Sequence, residues 1–516
     1  MKVRTYIMGG LLMGGFLGFS ACSLDYNPLD IYSDVTEGVQ DETGDTQEFE
    51  TKADVESALT ALYQKMKDRM EHMYLDRLLL GDAHADNAYG GTTGVEVIPF
   101  ENNSIDGGNS VLNRDWERYL ADVADANRII CNIDAVNDAT FTEAERNSIK
   151  AQAMIFRSFM WFHMVRIWGN IPVITTVAPD ITADNVGEVY DDYFPKQSTA
   201  LDAYKQIEED LTFALTNAPD NEGDKTKFTK SVARAMLAKL YAEKPLQDYG
   251  KVIQYCDAVA ADGFDLVDNF GDMFDVKLQD DTKPVGADNM AVDLKSRNTK
   301  EGILEAQFPA AGGNWCAWMF GRTQDSWDYS FTWAKWVTPS RDLINLYTQE
   351  GDTERFNQTV AYYECTWSNY YPADHYAFMY KCRAAQSSII YLRYADILLL
   401  KAEAYLKGTD KDLDAAADII DRIRERAGLA ELPASVRGNE TALWEAYTKE
   451  RRMELAMEGE RWFDLCRWGE VEKVMNNLQD EGRFTLINPY DENSYLLAIP
   501  QTALDGNENL AQNPGY

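Results

Sequence analysis

Apolar residues recur every three to four positions along most of the chain, which is the spacing that places them on one face of an α-helix. Gly169, Asn170 and Pro172 form a stop signal after one such stretch, and Gly428 ends another. We therefore predict a mainly α fold. The predicted helices cover residues 53–70, 113–136, 143–168, 204–215, 231–242, 251–261, 391–406 and 412–427.

Two consecutive helical segments, residues 229–244 and 249–263, are rich in alanine and lie close together in the sequence. Small side chains allow one helix to approach the next, and the apolar faces of such pairs stack on neighbouring pairs in tetratricopeptide repeats. The pattern predicts tetratricopeptide-like helical hairpins that form a scaffold.

Residues 263–380 lack a helical period, apart from 340–347, and are rich in Gly, Asp, Asn and aromatic residues. We interpret them as irregular loops and short strands, inserted between an N-terminal helical part (52–262) and a C-terminal helical part (381–516). The two helical parts are expected to close one domain. Periodicity also stops over residues 80–108, and long loops inside a compact domain are usually functional or disordered.

The segment 450–469 mixes apolar and charged residues on a helix that should face the core. Glu450 and Glu454 lie beside its apolar stripe, and a carboxylate near a core is costly unless it is paired and hydrogen-bonded. We expect a buried structural network here in preference to a binding site. The expected partners are the nearby arginines Arg451, Arg452 and Arg461.

The composition is that of a globular protein, with 45% hydrophobic and 26% charged residues among 516. The formal net charge is −36. Such acidity argues against nucleic acid and against an anionic membrane surface as direct partners. It suits a neutral or cationic ligand.

The first residues have the pattern of a secretory signal. Lys2 and Arg4 precede an apolar run that is followed by polar sequence. Because the run is too short to span a membrane, we predict a signal peptide over residues 1–21 and not a transmembrane helix.

Cys22 follows the small residues Ser20 and Ala21, which match a lipoprotein cleavage pattern. We predict that Cys22 becomes the lipidated N-terminus, so that its acyl chains attach the protein to the membrane. Ordinary cleavage near Ala21 with a free Cys22 is the alternative. Residues 22–51 are polar and acidic and are interpreted as a tether.

The remaining cysteines are widely spaced and form no Cys-x-x-Cys motif, so the sequence indicates neither a zinc site nor a thiol redox motif. Export permits disulfides, but the apolar helical surroundings of most of them favour buried free thiols. These cysteines are Cys131, Cys256, Cys316, Cys365, Cys382 and Cys466.

The sequence contains no nucleophile elbow, phosphate-binding loop, zinc-protease motif or dinucleotide fingerprint. His163 lies in an aromatic helix and is interpreted as a core residue. We predict no catalytic residue, no metal and no cofactor. A glycosidase with paired carboxylates stays open, because its two carboxyl groups need only be close in space.

Tryptophan and tyrosine are concentrated in the irregular region, interleaved with Gly, Asn and Asp. The apolar C–H faces of sugars stack on flat rings and their hydroxyls need amides and carboxylates, so this mixture suits a glycan site. A hydrophobic minicore is the alternative for any single ring. The candidate ligand residues are Trp315, Cys316, Trp318, Trp327 and Tyr329.

Several stretches resemble, in order, motifs of the SusD/RagB family, which are surface lipoproteins that capture nutrients for a SusC-like TonB-dependent transporter in the outer membrane. The resemblance runs from Cys22 to Tyr516. The matching stretches are 151–172, 391–405, 415–428, 450–469 and 499–516.

This resemblance implies a non-catalytic protein at the cell surface that captures oligosaccharide and delivers it to the transporter as a lid. Peptide cargo, as in the RagB branch, is the alternative, and a surface glycoside hydrolase or a purely structural repeat scaffold are further alternatives. The resemblance also implies that the early loop 81–91 contributes to the ligand site; Asx-turns and helix caps are the other roles its side chains could have. Its candidate residues are Asp82, Asp86, Asn87 and Tyr89.

Overall fold

The computed structural model describes residues 48–91, 94–182, 185, 187–309, 313–327, 336–479, 483 and 485–516. Two π-helical turns, Glu71–Leu75 and Leu79–Ala83, flank α2. The helices up to residue 262 are α1 (Lys52–Asp68), α2 (Asp76–Leu78), α3 (Ile98–Asn102), α4 (Ser110–Asn132), α5 (Glu143–Trp168), α6 (Tyr190–Tyr193), α7 (Ala200–Asn217), α8 (Lys230–Ala242) and α9 (Tyr249–Ala261).

The prediction of a mainly α fold is confirmed, whereas a tetratricopeptide-like geometry of the helix pairs stays a prediction. Helices α8 and α9 do pack against each other, as their alanine content predicts. The later helices are α10 (Cys316–Phe320), α11 (Arg341–Glu350), α12 (Thr353–Thr359), α13 (Tyr394–Lys407), α14 (Leu413–Arg426), α15 (Ala434–Arg437), α16 (Glu440–Leu455), α17 (Arg461–Trp468), α18 (Val471–Met475) and α19 (Gln501–Gly506).

The strands are short and pair two by two in antiparallel sheets. The pair β1–β5 joins the early loop to the irregular region, with Tyr89 opposite Thr338. In β6–β7, Tyr363 lies opposite Tyr376. The pairs are β1 (Ala88–Tyr89) with β5 (Thr338–Pro339), β2 (Val276–Leu278) with β3 (Ala291–Leu294), β4 (Gly302–Ala306) with β8 (Ile389–Arg393), and β6 (Val360–Tyr363) with β7 (Tyr376–Met379).

Helix α5 is a central element of the core. Thr142 begins it with a capping box, in which the Thr142 hydroxyl accepts from the Glu145 N–H and the Glu145 carboxylate accepts from the Thr142 N–H. All residues from 155 to 168 are buried, and α4 and α7 pack against this helix. Gly169, at φ +72°, ends it in a conformation that glycine adopts readily.

The buried network expected around segment 450–469 is confirmed, but its partners differ from those expected. Arg355 lies 2.6 Å from Glu450 and 3.0 Å from Glu454, and Arg393 lies 2.6 Å from Glu454. Arg426 also pairs with Glu454. These arginines come from other elements, α12, β8 and α14.

The nearby arginines pair elsewhere instead. Arg451 donates to Asp464 at 2.7 Å, while Arg452 and Arg461 both turn to Asp86 in the early loop. For Glu450 the reason is geometric: residues one or two positions apart on a helix do not face each other, so Arg451 and Arg452 do not turn back to Glu450.

A second buried cluster is centred on Glu460, which is 4% exposed. Its carboxylate accepts from Arg166 at 3.0 Å and lies 3.2 Å from Lys239, and it also pairs with Arg77. Because these cations lie on α5, α8 and α2, the cluster connects the N-terminal helices to the C-terminal segment.

The early segment is more regular than its sequence pattern predicts. Periodicity is lost from residue 80, yet helical turns continue to Ala83 and α3 follows at Ile98–Asn102. A π-turn contains an extra residue, which shifts the apolar positions out of the 3.6-residue period. Within the described residues, no helix is both long and apolar enough to cross a bilayer.

Candidate functional site

The early loop 81–91 folds into the interior. Asp82 is fully buried; its carboxylate accepts from the backbone N–H of Met457 at 3.1 Å and of Gly459 at 2.7 Å, and from the Asn87 amide at 2.8 Å. Met457 and Gly459 both have positive φ, so Asp82 holds a turn that a non-glycine residue rarely adopts. Burial raises the pKa of Asp82 to about 6.

Asp86 is 1% exposed and accepts two hydrogen bonds from Arg461, at 2.7 and 2.9 Å. Arg452 lies 3.1 Å from the same carboxylate and donates to Asn87 at 2.8 Å. Burial alone would raise the pKa of Asp86, but the charges of Arg452 and Arg461 hold it well below its usual range.

Arg452 and Arg461 connect Asp86 and Asn87 to an open groove of about 380 Å³, which they line together with residues of α11 and α16. Tyr89 is also fully buried; its ring stacks on Tyr370 with centroids 4.5 Å apart. All four candidate side chains of this loop are therefore bonded within the protein, and a direct ligand role for them stays a prediction.

The central candidates lie closer to the surface. Trp315 and Trp318 are half-buried at α10, with ring centroids 6.2 Å apart and planes inclined by 48°. Both rings contact the main core on one side. Cys316, between them in sequence, is fully buried, and burial raises the pKa of its thiol well above the usual range.

Trp327 is half-buried and has φ +48°. Its ring meets Tyr363 edge to face, with centroids 6.0 Å apart. The Arg322 guanidinium carbon lies 4.9 Å from the Trp327 centroid and 5.3 Å from the Tyr363 centroid, within cation–π range. We use the name aromatic patch for two groups of side chains, the pair Trp315 and Trp318 and the trio Trp327, Tyr363 and Arg322.

The segment that contains most of this patch is fixed by backbone bonds to the loop after β7. The Asn314 N–H donates to the Ala385 carbonyl at 2.6 Å, and the Gln324 N–H donates to the Arg383 carbonyl at 2.8 Å. In return, the Ala385 N–H donates to the Asp325 carboxylate at 3.1 Å. The Trp315–Trp327 stretch is therefore held at both ends, which reduces the entropy lost when a ligand binds.

Hairpin β6–β7 contributes residues that the sequence pattern did not single out. Tyr363 belongs to the patch, and on the same hairpin Tyr362 stacks on His375 with centroids 4.0 Å apart. The two tyrosines of β6 were the signal in the sequence for further aromatic candidates, but the positions of their rings depend on the pairing of β6 with β7. Two predicted residues, Tyr329 and the lipidation residue Cys22, lie outside the described residues.

Three of the four histidines lie in the interior, whereas His375 is exposed. His72, His84 and His163 are buried, and burial lowers the pKa of His84 to about 4. Among the residues that the structure describes, no group of three His, Cys, Asp or Glu side chains could hold a metal ion.

Comparison with known proteins identifies the fold. A family model described as "Starch-binding associating with outer membrane" matches residues 39–242, and one described as "SusD family" matches residues 375–516. SusD-like protein P2 of Formosa agariphila is 28% identical over 504 residues, which is 91% of this chain and 93% of that protein.

Solved structures agree along most of the chain. Surface glycan-binding protein A from Bacteroides fluxus superposes with a TM-score of 0.69 at 21% identity, covering 90% of this chain and 100% of that one. A laminarin-binding SusD-like protein gives a TM-score of 0.66 at 20% identity, covering 91% and 100%. At these sequence identities, the structural similarity shows the fold. Together with the two family models and the similarity to SusD-like protein P2, it shows that the chain belongs to the SusD-like family.

Proposed function

We propose that this protein is a non-catalytic, glycan-binding lipoprotein of the outer-membrane surface that delivers oligosaccharide to a SusC-like TonB-dependent transporter. The observation that supports it is the aromatic patch: half-buried rings on a stretch fixed at both ends to the protein. Flat rings that keep one face accessible suit the apolar C–H faces of sugars.

Sugar hydroxyls require polar partners, and polar side chains lie next to Trp327 in the sequence. Asp325 is half-buried and accepts from the Ala385 N–H at 3.1 Å, so its carboxylate has a fixed direction, whereas Gln324 is buried and donates its side-chain amide to Tyr380 at 2.6 Å. Arg322 contributes donors between the rings of Trp327 and Tyr363. We expect the hydroxyls of a sugar stacked on Trp327 to meet Asp325 and Arg322.

The relatives support a glycan as cargo. One family model that matches the chain is described as starch-binding, and two proteins of the same fold are described as laminarin-binding and glycan-binding. A net charge of −36 opposes anionic polysaccharides at low ionic strength, so we expect neutral glycans, such as glucans, to bind better than uronates.

Calorimetry of the protein against neutral glucans, fructans, mannans, host glycans and mixed peptides tests this function. We expect one glycan class to bind, and Trp327→Ala to weaken it by at least about tenfold because the stacking ring is lost. Tyr255→Ala is the matched control: Tyr255 is half-buried and stacked on Tyr241, but it lies on α9. If both variants bind the glycan with the same affinity, the aromatic patch is not the binding site.

Other outcomes would redirect the function itself. Heat from peptides alone would favour the peptide-binding branch, and release of sugars from a glycan by the purified protein would favour a hydrolase. The anchor has its own test: incorporation of a palmitate analogue in cells should disappear in Cys22→Ala. A label that persists in this variant would contradict lipidation at Cys22.

A further inference from the structure

The open groove of about 380 Å³ lies between helices α11 and α16, and we call it the α11–α16 groove. The two helices are in contact: the Tyr347 hydroxyl of α11 donates to the Met453 carbonyl of α16 at 2.6 Å, and Leu346 belongs to the same buried cluster as Met453. The walls of the groove are therefore in place before a ligand binds. Its volume falls in the lower part of the range of small-molecule sites, about 300–1,000 Å³.

Arg461 lines this groove with one end of its guanidinium group still available. The residue is 8% exposed, and its Nε and Nη2 donate to the two carboxylate oxygens of Asp86 at 2.7 and 2.9 Å. Such a bidentate pair fixes the plane of the guanidinium group. Nη1 makes no hydrogen bond to any residue that the structure describes, and it is not among the atoms enclosed in the interior. Its two N–H donors are thus oriented in advance and remain for a ligand.

Positive side chains predominate in the lining of the groove, although the chain as a whole has a net charge of −36. Asp86 pairs with the two arginines, and Glu350 lies 3.0 Å from the lysine, so part of the positive charge is offset. At physiological ionic strength, charges more than about 8 Å away are screened, so these near groups outweigh distant carboxylates and favour an anionic group. The three cations of the lining are Lys449, Arg452 and Arg461, and its one carboxylate is Asp342.

Two side-chain amides adjoin these cations. Asn345 and Gln349 are exposed, line the groove and lie four residues apart, which places them on one face of α11. Neither amide makes a hydrogen bond within the part of the chain that the structure describes. Because a side-chain amide both donates and accepts, it suits a hydroxyl group. A ligand that carries a carboxylate together with hydroxyls would use both kinds of group.

We propose that the α11–α16 groove binds a hydroxylated carboxylate, such as a uronic acid, whose carboxylate accepts from Nη1 of Arg461 and is attracted by Lys449. Its hydroxyls bond to the amides of Asn345 and Gln349. The described lining includes no aromatic ring, so binding depends on the carboxylate and not on stacking. The groove shares no residue with the aromatic patch, and this site is independent of neutral glycan binding there.

Sodium glucuronate is a suitable probe of the wild-type protein in a ligand-observed NMR titration. Its methyl ester keeps the hydroxyls but loses the charge, and should bind at least about tenfold more weakly. Acetate keeps the charge but has no hydroxyl, and should also bind more weakly. Equal binding of the acid and its ester would overturn the carboxylate site, and acetate as tight as glucuronate would overturn the role of the amides. Tighter binding of N-acetylglutamate would overturn the sugar acid in favour of an acidic peptide.

A charge reversal at the rim localises the effect. Lys449→Glu changes an exposed side chain and should weaken glucuronate by about threefold or more. Lys411→Glu is the matched control: Lys411 is also exposed and pairs with a glutamate of α16, Glu440, at 2.6 Å, but it does not line the groove. An equal effect of both variants would overturn a local role of Lys449, because net charge alone would then account for it.

Variants of the donors complete the test. Arg461→Lys keeps a charge opposite Asp86 but lacks Nη1, and should weaken glucuronate at least about tenfold, with unfolding curves to show that it is folded. Asn345→Ala combined with Gln349→Ala changes only exposed side chains, so it should weaken glucuronate and leave acetate unchanged. Glucuronate affinity that stays the same in this double variant would overturn the site even if Arg461→Lys does not fold. Trp327→Ala should leave glucuronate binding unchanged, and a loss there would overturn the groove in favour of the aromatic patch.

Discussion

Replacing Glu454 by glutamine tests whether the buried network stabilises this fold. Glu454 is fully buried and pairs with Arg393 at 2.6 Å, with Arg355 at 3.0 Å and with Arg426. Glutamine has nearly the same shape, so the change leaves no cavity. It does leave three guanidiniums with one carboxylate fewer, and breaking a buried pair in this way costs about 3–5 kcal/mol.

Thermal and denaturant unfolding measure this cost. Unfolding entropy is about 2.1 cal/mol/K per residue, so for a chain of this length it is roughly 1 kcal/mol/K and Tm should fall by about 3–5 °C. Glu350→Gln is the control, because Glu350 pairs at 3.0 Å with the half-exposed Lys449. A surface pair of this kind is worth at most about 1 kcal/mol.

The pH dependence gives an independent check of the same reasoning. Burial alone would raise the pKa of Glu454, but Arg426, Arg393 and Arg355 hold it well below its usual range. A carboxyl group with a lowered folded pKa contributes stability that is present above the unfolded pKa, about 4.3, and is lost as the pH falls through the folded pKa. The deficit of Glu454→Gln should therefore shrink below about pH 4. If Glu454→Gln lowers the free energy of unfolding at neutral pH by no more than Glu350→Gln does, the network does not stabilise the fold.

Three further outcomes follow from single sites. Gly81→Ala should destabilise the protein by about 1–3 kcal/mol or more in denaturant unfolding, because the new Cβ would lie 2.3 Å from the backbone of Gly459. Gly286→Ala is the control and should be nearly neutral, because its Cβ would meet nothing within 4 Å. Asp115→Asn should raise the free energy of unfolding at neutral pH, because burial raises the pKa of Asp115 well above the unfolded value of about 3.9 and the fold disfavours its ionised form. In a series of unfolding curves at different pH values, this advantage should disappear near pH 4. No advantage at neutral pH would contradict the reasoning. Cys131, the exposed cysteine among those of the described chain, should react first with a maleimide under native conditions, as read by peptide mass spectrometry, and earlier labelling of a buried cysteine would contradict the packing.

Local sequence pattern accounts well for the helices and poorly for the partners of buried charges. The core face of α5 and its capping box are both local features, so the 3.6-residue period and the Thr-x-x-Glu spacing were sufficient. Burying an unpaired carboxylate costs free energy, and this rule likewise predicted that Glu454 is paired. Its partners Arg355 and Arg393 lie 99 and 61 residues away in sequence, and nothing in the local pattern selects them.

The early loop shows why a polar, glycine-flanked stretch is ambiguous. Asp82 and Asn87 have the side chains of a sugar site, and the same groups also stabilise a turn by accepting backbone N–H bonds. Which use applies is decided by a contact with the turn at Met457 and Gly459, which is remote in sequence. Tyr363 was missed for a related reason: its ring meets Trp327 because β6 pairs with β7 and Gln324 is bonded to Arg383 in the loop after β7, and both contacts are tertiary.

The two kinds of site differ in what a substitution would disturb. Around segment 450–469, charged side chains are buried and shared among several elements, as Glu460 shows with its contacts to three helices, so a change there alters the scaffold. In the aromatic patch, the stretch from Asn314 to Gln324 is held at both ends by backbone bonds, to which the buried side chains of Asn314 and Gln324 add bonds of their own. These bonds do not involve the tryptophan rings. Rings at positions such as Trp327 can therefore change with little effect on the fold. This separation would allow the proposed ligand surface to change while the helical scaffold is kept.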